Sequence, residues 1–86
     1  MNNLESIINI CKSYINGVFD VEEFQHQLEQ VILPDNFKYT LEKEQHNAVN
    51  RLEEIRFSYL PENQNKYAIE VAEELIHLTR NYINKK

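Results

Sequence analysis

Tryptophan is absent from this chain, and glycine and cysteine each occur once and proline twice. So little Gly and Pro leaves few places for loops. A single cysteine, Cys11, excludes an internal disulfide. No segment approaches the roughly 20 apolar residues of a membrane span. There is no strand-like alternation, repeat or low-complexity stretch, and no Gly-rich phosphate loop, Cys-x-x-Cys or zinc spacing. Basic residues are also scarce, with 9 Lys and Arg against 14 Asp and Glu, a net charge of −5. Two of those basic residues are the terminal Lys85 and Lys86, so the body is more acidic still. Such a surface repels phosphate backbones, which argues against nucleic acid as a partner and for a basic protein. Met1 to Glu5 carry no basic segment leading into an apolar run, as a signal peptide would. The expected location is the cytoplasm, with no membrane partner.

What is present is helical. The 86 residues form one domain, 1–86, large enough for a single layer of side chains between helices and too small for a deep cavity. Helix 1 is expected from Asn3 to Asn16, with Leu4, Ile7, Ile8, Cys11, Ile15 and Val18 on one stripe, widened by Ile10 and Tyr14. Gly17 suits the left-handed residue that ends it. Asp20 and Glu23 have capping-box spacing, and Phe19 and Phe24 flank them as a hydrophobic staple. Helix 2 is expected from Val21 to about Ile32, with Val21, Phe24, Leu28, Val31 and Ile32 inward and Pro34 ending it. Helix 3 starts at Phe37 or Thr40 and ends at Ser58. Leu41, Gln45, Ala48, Leu52, Ile55 and Tyr59 form a heptad-like seam, with Val49 beside it. Pro61 breaks the chain, and Asn63 to Asn65 are a turn or a ragged first turn. Helix 4 starts at Glu62 or Asn65 and runs to Ile83, burying Ala68, Ile69, Val71, Ala72, Leu75, Ile76, Thr79 and Ile83. That broad face calls for more than one neighbour, and Arg80, Lys85 and Lys86 complement the helix dipole. The expected fold is all-α, an antiparallel four-helix bundle.

Two Glu-x-x-His pairs, Glu23 with His26 and Glu74 with His77, lie in different helices, with Glu5 and Glu53 in the other two. Di-metal bundles use such a set pointing inward. At about 100° per residue both pairs here fall opposite the apolar stripes and face water. Cys11 is core-facing, Ser6, Ser13 and Ser58 have no paired histidine, and His46 projects away from its seam. The expectation is no catalytic residue, metal or cofactor, and no enzyme.

Acidic surface is the stronger signal. Asp20, Glu22 and Glu23 open helix 2, and Asp35, Glu42 and Glu44 gather at the start of helix 3, where first-turn acids favour the positive helix end. Glu70, Glu73, Glu74 and His77 sit mid-helix on one face, where dipole and capping arguments do not reach. They read as a solvated face or a binding face. Glu53 and Phe57 lie further out on helix 3. Phe57 is either an exposed anchor or is turned inward by the irregularity at Pro61, and Tyr39 and Tyr67 sit near helix starts. The candidate partner-binding residues are Glu70, Glu73, Glu74, His77, Glu53 and Phe57.

Tyr14-Ile15-Asn16-Gly17, Phe19-Asp20-Val21-Glu22-Glu23-Phe24, Asn50-Arg51-Leu52-Glu53-Glu54-Ile55-Arg56-Phe57, Tyr67-Ala68-Ile69-Glu70-Val71 and Glu74-Leu75-Ile76 carry a resemblance that spans nearly the whole chain. With these segments the chain resembles small bacterial immunity proteins of the colicin D and contact-dependent-inhibition type. The resemblance implies a four-helix bundle that neutralises a toxin domain, often a ribonuclease acting on transfer RNA. It carries over no individual contact residues. A toxin of that kind needs a basic groove for phosphate, which an acidic bundle could fill as a mimic. The expected partner is a basic toxin domain and the expected state a monomer or weak dimer. The alternative is a helical adaptor that self-associates through the helix 3 seam or binds another protein.

Overall fold

The computed structural model describes residues 3–37 and 39–84. Four α-helices follow in chain order: α1 (Asn3–Ile15), α2 (Val21–Gln30), α3 (Leu41–Ser58) and α4 (Pro61–Asn84), with a 3₁₀ turn over Asp35–Phe37 before α3. Among the described residues there is no strand. The helices pack as a four-helix bundle with extents of 40 × 23 × 19 Å. Among the described residues no helix is long and apolar enough to cross a membrane. The lysines assigned to the end of helix 4, Lys85 and Lys86, lie outside the described residues, as do Met1 and Asn2. Arg80 is exposed, one turn before the last turn of α4.

Each helix end has its own closure. After α1, Gly17 takes φ +84°, its N–H donates to the Tyr14 carbonyl and the Val18 N–H donates to Ser13. This is the paired 5→2 and 6→1 bonding of a Schellman stop. It also corrects the sequence reading of Val18, which the turn carries out of the stripe to 68% exposure. At the start of α2, Asp20 Oδ1 accepts from the Glu23 N–H at 2.8 Å. The other half of the capping box is replaced, because the Glu23 carboxylate accepts from Gln27 Nε2 at 2.8 Å.

The end of α2 departs from expectation. The helix stops at Gln30, because Val31 is extended (φ −72°, ψ 123°) well before Pro34. Ile32 is therefore 80% exposed, and Leu33 drops into the core instead. Gln45, from the seam of α3, explains the stop. Its Nε2 donates to the Leu28 carbonyl at 2.6 Å and the Val31 carbonyl at 2.9 Å, closing the C-terminus of α2 from a neighbouring helix. Gln64 does the same for α3, with Nε2 donating to the Arg56 carbonyl at 3.2 Å and the Tyr59 carbonyl at 3.0 Å. Gln64 can do so because α4 begins at Pro61 rather than Glu62 or Asn65. The proline sits in the first helical position, where its missing N–H costs nothing. Asp35 heads the separate 3₁₀ turn rather than α3, and Thr40 occupies the N-cap position of α3 without a side-chain cap bond.

The core joins Leu4, Ile7, Cys11, Tyr14, Phe24, Leu28, Leu41, Leu52, Ile55, Val71 and Leu75 across all four helices. Phe24 is fully buried and stacks on Tyr14 with ring centroids 4.5 Å apart. Phe19 packs at the margin of the core. Tyr14 donates its hydroxyl to Asn65 Oδ1 at 2.7 Å, tying α1 to α4. α4 packs mainly against α1 and α3, the two neighbours its broad apolar face demanded. Ala68, Val71, Ala72, Leu75 and Thr79 form its buried strip, while Ile69, Ile76 and Ile83 are half-buried beside it. α2 and α3 are joined by Arg56, which donates to Gln25 Oε1 and Glu22 Oε2, each at 2.8 Å. No buried side-chain nitrogen or oxygen among the described residues is left without a partner.

Denaturant melts should rank three substitutions. Phe24→Ala should cost roughly 3–5 kcal/mol through the cavity it leaves. Gln45→Ala should cost about 1–3 kcal/mol, because the Val31 carbonyl loses its side-chain donor and the Leu28 carbonyl is left with the Val31 N–H. Asp20→Ala should cost about 1 kcal/mol. A Gln45→Ala variant as stable as wild type would show that α2 ends at Gln30 for another reason.

Stability should also fall at alkaline pH. Burial pushes the Cys11 thiol up from 9.0 to about 12. Burial, with a contribution from Asp20, raises the Tyr14 hydroxyl in the same direction. An unfolded chain releases the thiol proton near pH 9 while the folded chain holds it until about pH 12. The folded state binds more protons in that window. The stabilisation is complete below about pH 9 and is lost as pH rises towards about 12, by about 1.4 kcal/mol per pH unit for Cys11. Urea melts at about pH 8 and about pH 10.5 should show the loss, and Cys11→Ala should reduce its slope. Equal slopes in the two proteins would contradict the assignment.

Candidate partner-binding face

All six residues singled out in the sequence reach the surface, but they do not form one site. Glu70, Glu73, Glu74 and His77 are exposed on the outer ridge of α4, yet they divide between its two flanks. Glu73 and His77 face the cleft towards α1, beside Lys12 and Arg80. Glu74 turns to α3, where its carboxylate accepts from Arg51 Nη1 at 2.9 Å. Glu70 lines the α3 side further along, with Arg51, Glu54, Tyr59 and Tyr67. Glu53 and Phe57 stand one turn apart on the outward face of α3.

The α3–α4 side carries the larger acidic concentration. An open cleft of about 350 Å³ runs between the two helices, with Ala48, Val71, Leu75 and Leu78 among its lining residues. Glu44, Glu54 and Glu74 stand along it, with Asn47 and Asn50. Towards the α3–α4 corner it passes into a smaller cavity that shares Arg51 and Glu54 and adds Glu70. The two together present four carboxylates and one guanidinium. That guanidinium, Arg51, is bound to Glu74, whereas Glu44, Glu54 and Glu70 have no ion pair among the described residues. The Arg51–Glu74 pair is exposed on both sides, so it orients the two side chains without adding much stability.

The corner supplies what the sequence reading missed. Phe57 stays outside at 80% exposure, which settles its two readings in favour of the exposed one. Tyr59, expected in the seam, is the C-cap of α3, 41% exposed and stacked on Tyr67 with ring centroids 4.3 Å apart. Leu60, which no sequence argument singled out, is 62% exposed. Phe57, Tyr59 and Leu60 thus leave three exposed apolar side chains at the end of α3, of which Tyr59 lines the acidic cavity. The sequence signal at this end was Pro61. A proline pushes the residue before it, here Leu60, out of the helical region, and Tyr59 is already extended at the C-cap (φ −119°, ψ 149°). Tyr39, also 85% exposed, lies in the connection before α3, away from this corner in sequence.

The remaining chemical candidates stay apart. Glu23 with His26 and Glu74 with His77 lie outside the core, and among the described residues no three His, Cys, Asp or Glu side chains are arranged to hold a metal ion. His46 is exposed, and the Cys11 thiol is buried and held protonated. A second acidic cleft on α2 involves Glu22, Glu23 and Glu29, but Arg56 already occupies it through Glu22 and Gln25. What the α3–α4 face offers is carboxylates around a cleft and a tyrosine pair at its end. Compared with protein-family models, curated proteins and solved structures, the chain matches none.

Proposed function

We propose that this chain is an inhibitory binding module, an immunity protein that binds and neutralises a basic toxin domain of the nuclease class through its α3–α4 face. The observation that carries the reading is the cavity where Glu54 and Glu70 lie beside Tyr59, at the end of a helix that also exposes Phe57 and Leu60. Carboxylates speed encounter with a basic surface, and aromatic anchors hold the docked state. A nuclease groove shaped for phosphate presents the complementary charges, so carboxylates along a rigid helix pair can stand where phosphates would. The similarity to colicin D and contact-dependent-inhibition immunity proteins noted in the sequence points the same way. Self-association through the helix 3 seam has less support, because Leu41, Gln45, Ala48, Leu52 and Ile55 are all buried within the chain.

The test uses the protein encoded by the neighbouring reading frame, if it ends in a basic domain. Reversing Glu54, Glu70 and Glu74 to lysine should slow association by about tenfold or more, and salt should weaken the wild-type encounter as screening shortens the field to about 8 Å. Glu73→Lys, on the α1 side, should have a smaller effect. Because all these positions are exposed, melts should change by only about 0.5 kcal/mol each. Unchanged association in the triple reversal would move the interface off this face, and no binding by wild type would overturn the reading.

A further inference from the structure

We infer that the cavity of about 170 Å³ at the α3–α4 corner, walled by Tyr59 and Tyr67 and flanked by Glu54 and Glu70, is a receptor for one arginine side chain of the partner protein. The inference rests on the reading of the α3–α4 face as the one that meets a basic partner, and it specifies which side chain the partner places there.

Three features select arginine. The two tyrosines are stacked at 4.3 Å, so Tyr59 has one ring face covered by Tyr67 and is held in place before a ligand arrives, while the residue keeps 41% of its surface open. A guanidinium is planar and stacks on such a face, whereas an ammonium is a strongly hydrated point charge. Glu54 comes from α3 and Glu70 from α4, and neither has an ion pair among the described residues. A guanidinium offers five donors in a fixed fork and can serve two carboxylates at once. Ile55 also lines the cavity, giving apolar surface to the arginine stem.

The chain's own cations leave this seat to a partner. Arg51 lines the same cavity but is drawn to Glu74 at 2.9 Å, and Arg56 is committed to Gln25 and Glu22. Lys66 does not line the cavity. Its ammonium lies 5.8 Å from the ring of its chain neighbour Tyr67.

The probe is N-acetyl-arginine amide, titrated into isotopically labelled protein at low salt and followed by NMR, with N-acetyl-citrulline amide as its neutral counterpart. Arginine should give saturable shifts at the Tyr59 ring and at the Glu54 and Glu70 carboxyl groups, and citrulline should not. Tyr59→Ala and Glu70→Gln should each weaken binding roughly tenfold. The exposed, isosteric Glu70→Gln keeps the test valid if Tyr59→Ala folds poorly. Unsaturated shifts at every surface carboxylate, equal shifts with citrulline, or tyrosine shifts that follow protein concentration alone would overturn the inference, the last by placing a second copy of the chain on the corner. A second arm measures the basic toxin domain against the same two variants. Toxin binding that ignores both variants would overturn the arginine seat and leave the proposed function standing. Arginine binding at the corner with no toxin binding would do the reverse.

Discussion

α4 must bury a broad apolar strip on two flanks at once, and the rest of the structure is arranged around that constraint. At 24 residues it is about 36 Å long, nearly the full 40 Å extent of the bundle. Ala68 and Ala72 let neighbours come close, and Val71 and Leu75 fill the layer they leave. With α1 on one flank and α3 on the other, only a narrow outer ridge remains for charge. Glu70, Glu73, Glu74 and His77 share that ridge, so each leans towards one cleft or the other. The division of the acidic surface thus follows from packing.

The four helices were legible because each carries an apolar stripe at helical spacing and three breaks are marked by Gly17, Pro34 and Pro61. The Schellman stop and the Asp20 cap were legible too, since both depend on residues adjacent in the chain. The end of α2 was not. Gln45 reaches Leu28 and Val31 across the bundle, and a polar residue in a heptad seam does not announce that its amide will terminate a different helix. Gln64 closes α3 from the next helix in the same way, although α3 ends at Ser58 as expected. Such bonds run between elements, and periodicity does not encode them. The misread end of α2 moved Ile32 outward and Leu33 inward without altering the fold.

The candidate site was legible in kind and not in place. Glu70 and Glu74 stood out because dipole and capping arguments did not explain mid-helix acids. Glu44 was noted only with the acids at the start of helix 3 and Glu54 only within the segment beside Glu53, because their proximity to α4 depends on how α3 is rotated. Tyr59 carries the sharpest lesson. It fits the four- and three-residue spacing of the seam, but the chain leaves the helix one residue before it, so the pattern assigned to the core a ring that the structure sets beside Glu70. Helical periodicity holds only while the helix continues, and side chains at helix ends escape it.

The central claim is that one face of the bundle, the α3–α4 cleft and the corner at its end, meets a basic protein partner. Amide hydrogen exchange of this chain, free and mixed with a basic domain from the neighbouring reading frame where that frame encodes one, tests that directly. The account predicts added protection confined to residues 51–60 and 67–74, with α1 and the exposed side of α2 unchanged. Protection centred on α1 and α2, with the α3–α4 corner exchanging as in the free protein, would contradict it.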